Sequence, residues 1–190
     1  FGAALTAAGL GASALTSGFG ASFTGAALAR FLHARGMAIY GLSNSPVADD
    51  VAALYENITI GSIVDEEVVN AAMATARPQY VIHLAGISFT NYANATPYYE
   101  VNVVGSEAVL KAARTHGDAL RKVILASSAA VYGTPTVDAV DERTVIAPTG
   151  HYGLSKRTME LMAQNYMADM PILMTRPFNY TGPGQPDYFL

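Results

Sequence analysis

"QYVIHLAG" (residues 79–86) decides the fold. Its apolar residues run on without alternating. A strand with one face in water alternates, so a run such as Tyr80-Val81-Ile82 belongs to a strand covered on both faces, as in a parallel sheet. "KVILASS" (122–128) and "MAIYGL" (37–42) read the same way, with "SALT" (13–16), "NITIGSI" (57–63) and "PILMTRP" (171–177) as weaker strands. Helical segments fall between them: "FTGAALARFLHARG" (23–36), "DEEVVNAAMATA" (65–76), "TPYYEVNVVGSEAVLKAARTHG" (96–117) and "YGLSKRTMELMAQNYMAD" (152–169). The first closes at Gly36, a residue suited to a helix C-terminus. The second opens on acids that suit the helix dipole, and the third opens on Pro97. Strand and helix alternate, so the crossovers are right-handed and the sheet is an α/β, doubly wound parallel one.

The chain has 190 residues, 51% of them hydrophobic and 14% charged, enough for one real core. A net charge of −4 without basic runs leaves no footprint for nucleic acid. There are no cysteines, which excludes disulfides and thiolate zinc sites. His33, His83, His116 and His151 lack ligand spacing, so no metal site is expected. Residues 1–12 form an atypical Ala/Gly-rich segment before a domain spanning 13–190. Glycines within it and the lack of a preceding basic residue argue against a membrane span or signal peptide, so a cytoplasmic protein is expected. The start without Met and the stop at "QPDYFL" read as a fragment.

In such a sheet, ligands sit at the carboxyl ends of strands, where the strand order reverses. After the first strand comes "SGFGASFTG" (17–25). Gly18, Gly20 and Gly25, with Phe23 and Thr24, stand where backbone N–H groups could meet a pyrophosphate, although the loop is stretched by one residue. After the second strand, Ser43 and Asn44 replace the acid that would favour NAD and the arginine that would favour NADP. Both cofactors therefore stay open. Leu84, Ala85, Gly86 and Ser88 follow the fourth strand and leave space for a cofactor. His83, inside the apolar run, reads as a core histidine rather than a catalyst. Asn102 is either a solvated polar residue or a buried amide bracing the active-site backbone.

Ser128 stands at the tip of the fifth strand. Tyr152 and Lys156 are four residues apart in the next helix, hence on one face. Together they gather a hydroxyl, a phenol and an ammonium.

"YGLSK", "SSAAVYG", "HLAG", "VNVVG" and "RPFNYTGPGQ", in this order, resemble the extended short-chain dehydrogenase/reductase family of nucleotide-sugar epimerases, dehydratases and reductases. Within it, "HLAGISF" and "RPFNYTGPGQPDYF" are most similar to the GDP-4-keto-6-deoxymannose reductases, with the GDP-mannose 4,6-dehydratases near relatives. The resemblance implies a Rossmann domain with the C-terminal substrate domain truncated. It implies Tyr152 as general acid/base, Ser128 as donor to the same sugar oxygen, and Lys156 as ligand of the nicotinamide ribose. Lys156, with the positive nicotinamide, would lower the Tyr152 pKa. Cofactor contacts would extend to Ser62 and Ile63 at the adenine and to Phe178. Ser88, Ser128 and Asn179 would meet the sugar nucleotide. Arg176 reads either as a substrate contact or as a structural strand-end residue.

Ala129 and Ala130 follow Ser128 where dehydratases of the family carry an acid. The expected reaction is therefore NAD(P)-dependent reduction of a nucleotide-activated 4-keto-6-deoxy sugar, with a nucleotide-sugar 4-epimerase or 4,6-dehydratase of the same family as the alternative and a non-catalytic NAD(P)-binding protein as the second. A homodimer through helices 96–117 and 152–169 is expected, with Tyr98, Tyr99, Met159 and Met162 as either seam or core.

Overall fold

A computed structural model describes residues 12–17, 23–87 and 94–185. Six parallel strands form one sheet: β1 (Ser13–Ser17), β2 (Ala38–Ser43), β3 (Asn57–Ile60), β4 (Tyr80–His83), β5 (Lys122–Ala126) and β6 (Ile172–Thr175). Their spatial order is β3-β2-β1-β4-β5-β6. The chain runs outward from β1 to β3, then returns to lay β4 against the other side of β1, with Leu15 opposite Val81 and Ser17 opposite His83. The carboxyl ends of β1 and β4 thus flank the crevice where a doubly wound sheet binds ligands.

The unbroken apolar runs have the predicted cause. Leu15, Val81, Val123 and Leu125 face one core with Met73, Leu110 and Met159. Ala14, Ile39, Ile82 and Ile124 face a second core with Leu28, Ala29 and Leu32. Successive residues of a strand point to opposite faces, so a strand buried on both sides must be apolar throughout.

The helices are α1 (Phe23–His33), α2 (Asp49–Ala52), α3 (Glu66–Ala76), α4 (Thr96–Tyr99), α5 (Ser106–His116) and α6 (His151–Gln164). The α1 chain turns through Gly36 at φ 68°, a conformation that suits glycine. Asp65 caps α3 by accepting from the N–H groups of Glu67 and Val68 at 3.0 and 3.3 Å. Among the described residues no helix is long and apolar enough to cross a membrane.

Three elements differ from the sequence expectation. The helix over 96–117 is interrupted: Glu100–Gly105 forms a π-helical turn between α4 and α5. The helix expected over 152–169 ends at Gln164. A short 3₁₀ helix, Ala129–Tyr132, follows β5 unannounced. Residues 1–11, with most of the atypical segment, lie outside the described residues, as do Gly18, Gly20 and Ser88.

Candidate active site

The first turn of α6 meets the tip of β5 at close quarters. A Cβ on Gly153 would stand 2.6 Å from the Ala130 carbonyl oxygen, so only glycine lets the helix approach the 3₁₀ turn this closely. Gly133 ends that turn at φ 63°, with the Ala147 carbonyl where a Cβ would stand. These contacts bring α6 over Ser128. Ser128 is extended, and its Oγ accepts from Ala130 N–H at 3.1 Å. The Ser128 hydroxyl also lies near enough to the Tyr152 phenol to favour its ionised form. The Tyr152 ring packs 6.4 Å from that of Tyr98, centroid to centroid.

Lys156 is buried, and its Nζ donates to the Ala126 carbonyl at 2.8 Å. A Cβ on Gly86 would fall 2.8 Å from this Nζ and 2.9 Å from Asn102 Oδ1. Only a glycine at position 86 lets the chain beyond β4 pass this close to the buried amine and amide.

Asn102, at the centre of the π-helical turn, is fully buried. Its Oδ1 accepts from Ile87 N–H at 2.9 Å, and its Nδ2 donates to the Ile87 carbonyl at 3.2 Å and to Ser155 Oγ at 2.9 Å. Ser155 in turn donates to the Tyr152 carbonyl at 2.8 Å. Of the two readings of Asn102, the bracing amide is the one observed. A π-helical turn at such a point is a common mark of a functional site.

His83 is the core histidine expected. Its Nδ1 lies 2.7 Å from Ser17 Oγ and its Nε2 2.8 Å from Ser106 Oγ. Ser106 spends its own proton on the Asn102 carbonyl at 2.7 Å, so the ring donates from Nε2 and accepts at Nδ1. Burial, aided by the Lys156 charge, pushes the His83 pKa down to about 3.

Burial raises the Tyr152 pKa, the Ser128 hydroxyl partly offsets this, and Tyr180 adds a smaller rise. The Lys156 ammonium is turned onto the Ala126 carbonyl, and burial pushes its own pKa down to about 8.

The remaining predicted residues divide. Phe23 packs its ring 5.6 Å from Tyr180, and Thr24 Oγ1 lies 2.9 Å from the Tyr180 hydroxyl. Gly25 is buried in α1. Phe178 stacks on Tyr132 at 6.5 Å and is 58% exposed. Asn179 is exposed on the same segment. Leu84 and Ala85 are half-buried beyond β4. At the β2 end, the Ser43 hydroxyl is committed to the Ser45 backbone, donating at 2.7 Å, while Asn44 is exposed. Ser62 is exposed and accepts from Val64 N–H at 3.4 Å. Ile63 is buried against Gly105, whose missing Cβ makes room for it. Tyr98 and Met159 are core residues, not seam.

Sequence reasoning missed Ser127, Glu160 and Tyr132, and it left Arg176 undecided. Arg176 is a strand-end clamp: its Nε and Nη2 reach the two Glu160 oxygens at 2.8 and 2.9 Å. The available signal was Glu160 itself, an acid one turn beyond Lys156 on the helix face that also carries Met159 and Ala163.

The residues fit a dinucleotide at its nicotinamide side, where Gly86 lets the chain beyond β4 pack closely over the buried Lys156 amine and Asn102 amide. The adenosine side offers no carboxylate among the predicted contacts Ser43, Asn44, Ser62 and Ile63.

Comparison with known proteins shows the family and the fold. The model of the NAD dependent epimerase/dehydratase family matches residues 20–189. The GDP-6-deoxy-D-talose 4-dehydrogenase of Aggregatibacter actinomycetemcomitans is 31% identical over 122 residues, 64% of this chain and 42% of that enzyme. A candidate epimerase from Burkholderia cenocepacia J2315 has a similar structure, with a TM-score of 0.86 and 35% identity over 96% of this chain and 59% of that one. The UDP-glucose 4-epimerase of Brucella ovis, solved in complex with NAD, gives a TM-score of 0.79 and 27% identity over 88% of this chain and 52% of that one. The chain thus spans about half the length of the proteins it matches.

Proposed function

The chain belongs to the NAD dependent epimerase/dehydratase family, and from that premise we propose that it carries the cofactor and catalytic half of an enzyme that oxidises or reduces C4 of a nucleotide-diphosphate sugar. The observation that carries the reading is the gathering of Ser128, Tyr152 and Lys156 at the end of β5, with Gly86 passing close to the Lys156 amine. Tyr152 gives a proton to the C4 oxygen during reduction and takes it during oxidation. Ser128 donates to the same oxygen and holds it against the phenol. Lys156 and the chain at Gly86 would hold the nicotinamide end of NAD or NADP, which would supply or accept the hydride at C4. A cationic ring there would return the Tyr152 pKa toward the neutral range, opposing the burial that raises it.

Within that class, the reading is a reductase of a nucleotide-activated 4-keto-6-deoxy sugar. Elimination of water needs a carboxylate beside the strand-tip hydroxyl, and this chain has Ala129 and Ala130 there. The similarity to a GDP-6-deoxy-sugar 4-dehydrogenase supports the same choice. The likeness to a UDP-glucose 4-epimerase supports 4-epimerisation as the second reading, because a transient C4 ketone needs the same three residues.

The test is to supply the full-length protein with GDP-4-keto-6-deoxymannose and NADPH or NADH and follow nicotinamide absorbance. Stoichiometric cofactor oxidation supports the reductase. Interconversion of UDP-glucose and UDP-galactose without net cofactor consumption would support the epimerase instead. Neither reaction, alongside no binding of either cofactor, would remove the enzymatic reading.

A homodimer in the cytoplasm completes the proposal. Val104 in the π-helical turn and Leu154 and Leu161 on α6 are 49%, 41% and 48% exposed. Leu154 and Leu161 fall on one face of α6, which packs beside α5. This face, rather than Tyr98 and Met159, is the proposed seam, and sedimentation of a Leu154→Glu/Leu161→Glu variant as a monomer would check it.

A further inference from the structure

Tyr152, Lys156 and Glu160 follow one another at four-residue spacing along one face of α6. Each is tied to a different residue at the end of β5. Tyr152 lies near the Ser128 hydroxyl, which favours its ionised form, and Lys156 donates to the Ala126 carbonyl. Glu160 Oε1 accepts from Ser127 Oγ at 2.6 Å. The first two ties belong to the site already described. The third is unused by the proposed chemistry.

Glu160 is fully buried. Besides Ser127, its carboxylate takes both donors of the Arg176 fork, and a bond from Arg157 Nη1 at 3.1 Å. Although burial acts to raise its pKa, hydrogen bonds from Arg176, Ser127 and Arg157 hold it below the usual carboxylate range. Arg176 continues to Tyr132, donating from Nη1 to the hydroxyl at 3.0 Å, with the guanidinium 5.2 Å from the ring centroid. One carboxylate thus joins the tip of β5, the 3₁₀ turn, α6 and the end of β6. Backbone bonds run beside it, from Ser127 N–H to the Thr175 carbonyl and from Ala129 N–H to the Pro177 carbonyl, at 2.8 and 3.0 Å. The direction of the Ser127 side chain follows from strand parity. Val123 and Leu125 pack in the core that holds Met159 and Ala163, while Ile124 packs in the other. Ser127 continues the Val123-Leu125 series and faces α6.

A buried ion pair is poor evidence of net stabilisation, because desolvation consumes most of its attraction. Its directional bonds nevertheless fix geometry. We infer that Glu160, clamped by Arg176 and acting through Ser127, is a positioning residue that sets the separation of the Ser128 hydroxyl from the Tyr152 phenol. It touches neither substrate nor cofactor. A displacement of about 1 Å at such a centre costs on the order of a hundredfold in rate. This inference rests on the C4 redox reading above.

Ser127→Ala is the cleanest test, since it removes one donor and leaves the Arg176–Glu160 pair intact. Ser127→Thr keeps the hydroxyl, and Glu160→Gln keeps the shape while removing the charge. The expected result for Ser127→Ala in the full-length protein is a kcat lower by about thirtyfold, with the sugar-nucleotide KM and the cofactor Kd within about threefold. Tyr98, Ser128 and Tyr180 face Tyr152, and of these the Ser128 hydroxyl lowers its pKa. Drawing that hydroxyl away moves the Tyr152 limb of the pH–rate profile to higher pH. Ser127→Thr restores both kcat and profile. An Ala variant with wild-type kcat and profile overturns the inference, as does a loss that the Thr variant fails to restore. If the wild-type protein turns over no sugar, the C4 reading fails by itself. Ultraviolet titration of the Tyr152 phenol, taken as a difference against Tyr152→Phe, then decides: an upward shift in Ser127→Ala supports the positioning role, and no shift overturns it.

Discussion

Gly86 lies over the amine of Lys156 so closely that an added Cβ would stand 2.8 Å from Nζ. The same Cβ would stand 2.9 Å from Asn102 Oδ1. Neither atom is free to retreat. Nζ is held by the Ala126 carbonyl and Oδ1 by the Ile87 N–H. Gly86→Ala should therefore weaken cofactor binding by at least about tenfold while leaving the fold intact. A fluorescence titration with NADH, paired with circular dichroism, checks both halves.

Lys156 should cost stability where it serves function. Its pKa is about 8 in the folded chain, against 10.5 as its ordinary value. Below pH 8 both states are protonated and the folded state carries the full penalty of a buried ammonium. Between pH 8 and 10.5 the unfolded chain holds more protons, so stability rises with pH. Lys156→Met should raise the melting temperature at pH 7, by an amount reflecting on the order of 3 kcal/mol. It should flatten the rise above pH 8 and reduce turnover by at least about a hundredfold. Melting curves across this window, with activity measured in parallel, test the exchange.

His83 should make the protein sensitive to acid before its carboxylates titrate. The folded pKa is about 3 and the ordinary one 6.5. As pH falls below 6.5 the unfolded histidine takes up a proton that the buried ring refuses, so stability falls with pH. His83→Gln, which can still bond to Ser17 and Ser106, should lower stability at pH 7 but flatten the slope between about pH 6.5 and 4.5. Urea unfolding at several pH values gives the slope directly; equal slopes in both proteins would assign the acid sensitivity elsewhere.

Much of this organisation was legible in the sequence for one reason: it lies in local pattern. The apolar runs at 79–86 and 122–128 imposed strands covered on both faces. The spacing of Tyr152 and Lys156 placed both on one helix face. Gly153, between them, proved to be required by the Ala130 carbonyl. What could not be read depends on which element lies across the sheet. Arg176 had two readings because only tertiary placement brings Glu160 beneath it. The rise in the Tyr152 pKa could not be read because it comes from burial, which only the packed fold sets. The π-helical turn around Asn102 breaks a helix that propensity alone would carry straight through.

His151 illustrates a polar residue next to the phenol with a separate duty. It is exposed at the start of α6, and its Nδ1 lies 3.0 Å from the Tyr99 hydroxyl, ring edge to face at 5.9 Å. That contact links α4 to α6 at the rim of the site. Proline is tolerated in the first turn of a helix, where the N–H has no intrahelical partner. His151→Pro should leave kcat/KM within about tenfold of wild type. A loss of several hundredfold would make His151 a participant in proton transfer.

Cofactor choice follows from what β2 ends in. A carboxylate there would bind the adenosine ribose hydroxyls and repel a 2′-phosphate; an arginine would attract that phosphate. This chain has neither. The Ser43 hydroxyl is occupied by the Ser45 backbone, and Asn44 is exposed and uncharged. With no repulsion and no attraction at this position, NADH and NADPH should bind within about tenfold of each other. Asn44→Asp should then favour NADH by at least about tenfold, chiefly by weakening NADPH, and Asn44→Arg should favour NADPH. Separate titrations of the two reduced cofactors measure the ratio. A wild-type preference beyond a hundredfold would mean that the 2′ position is read by residues other than those closing β2.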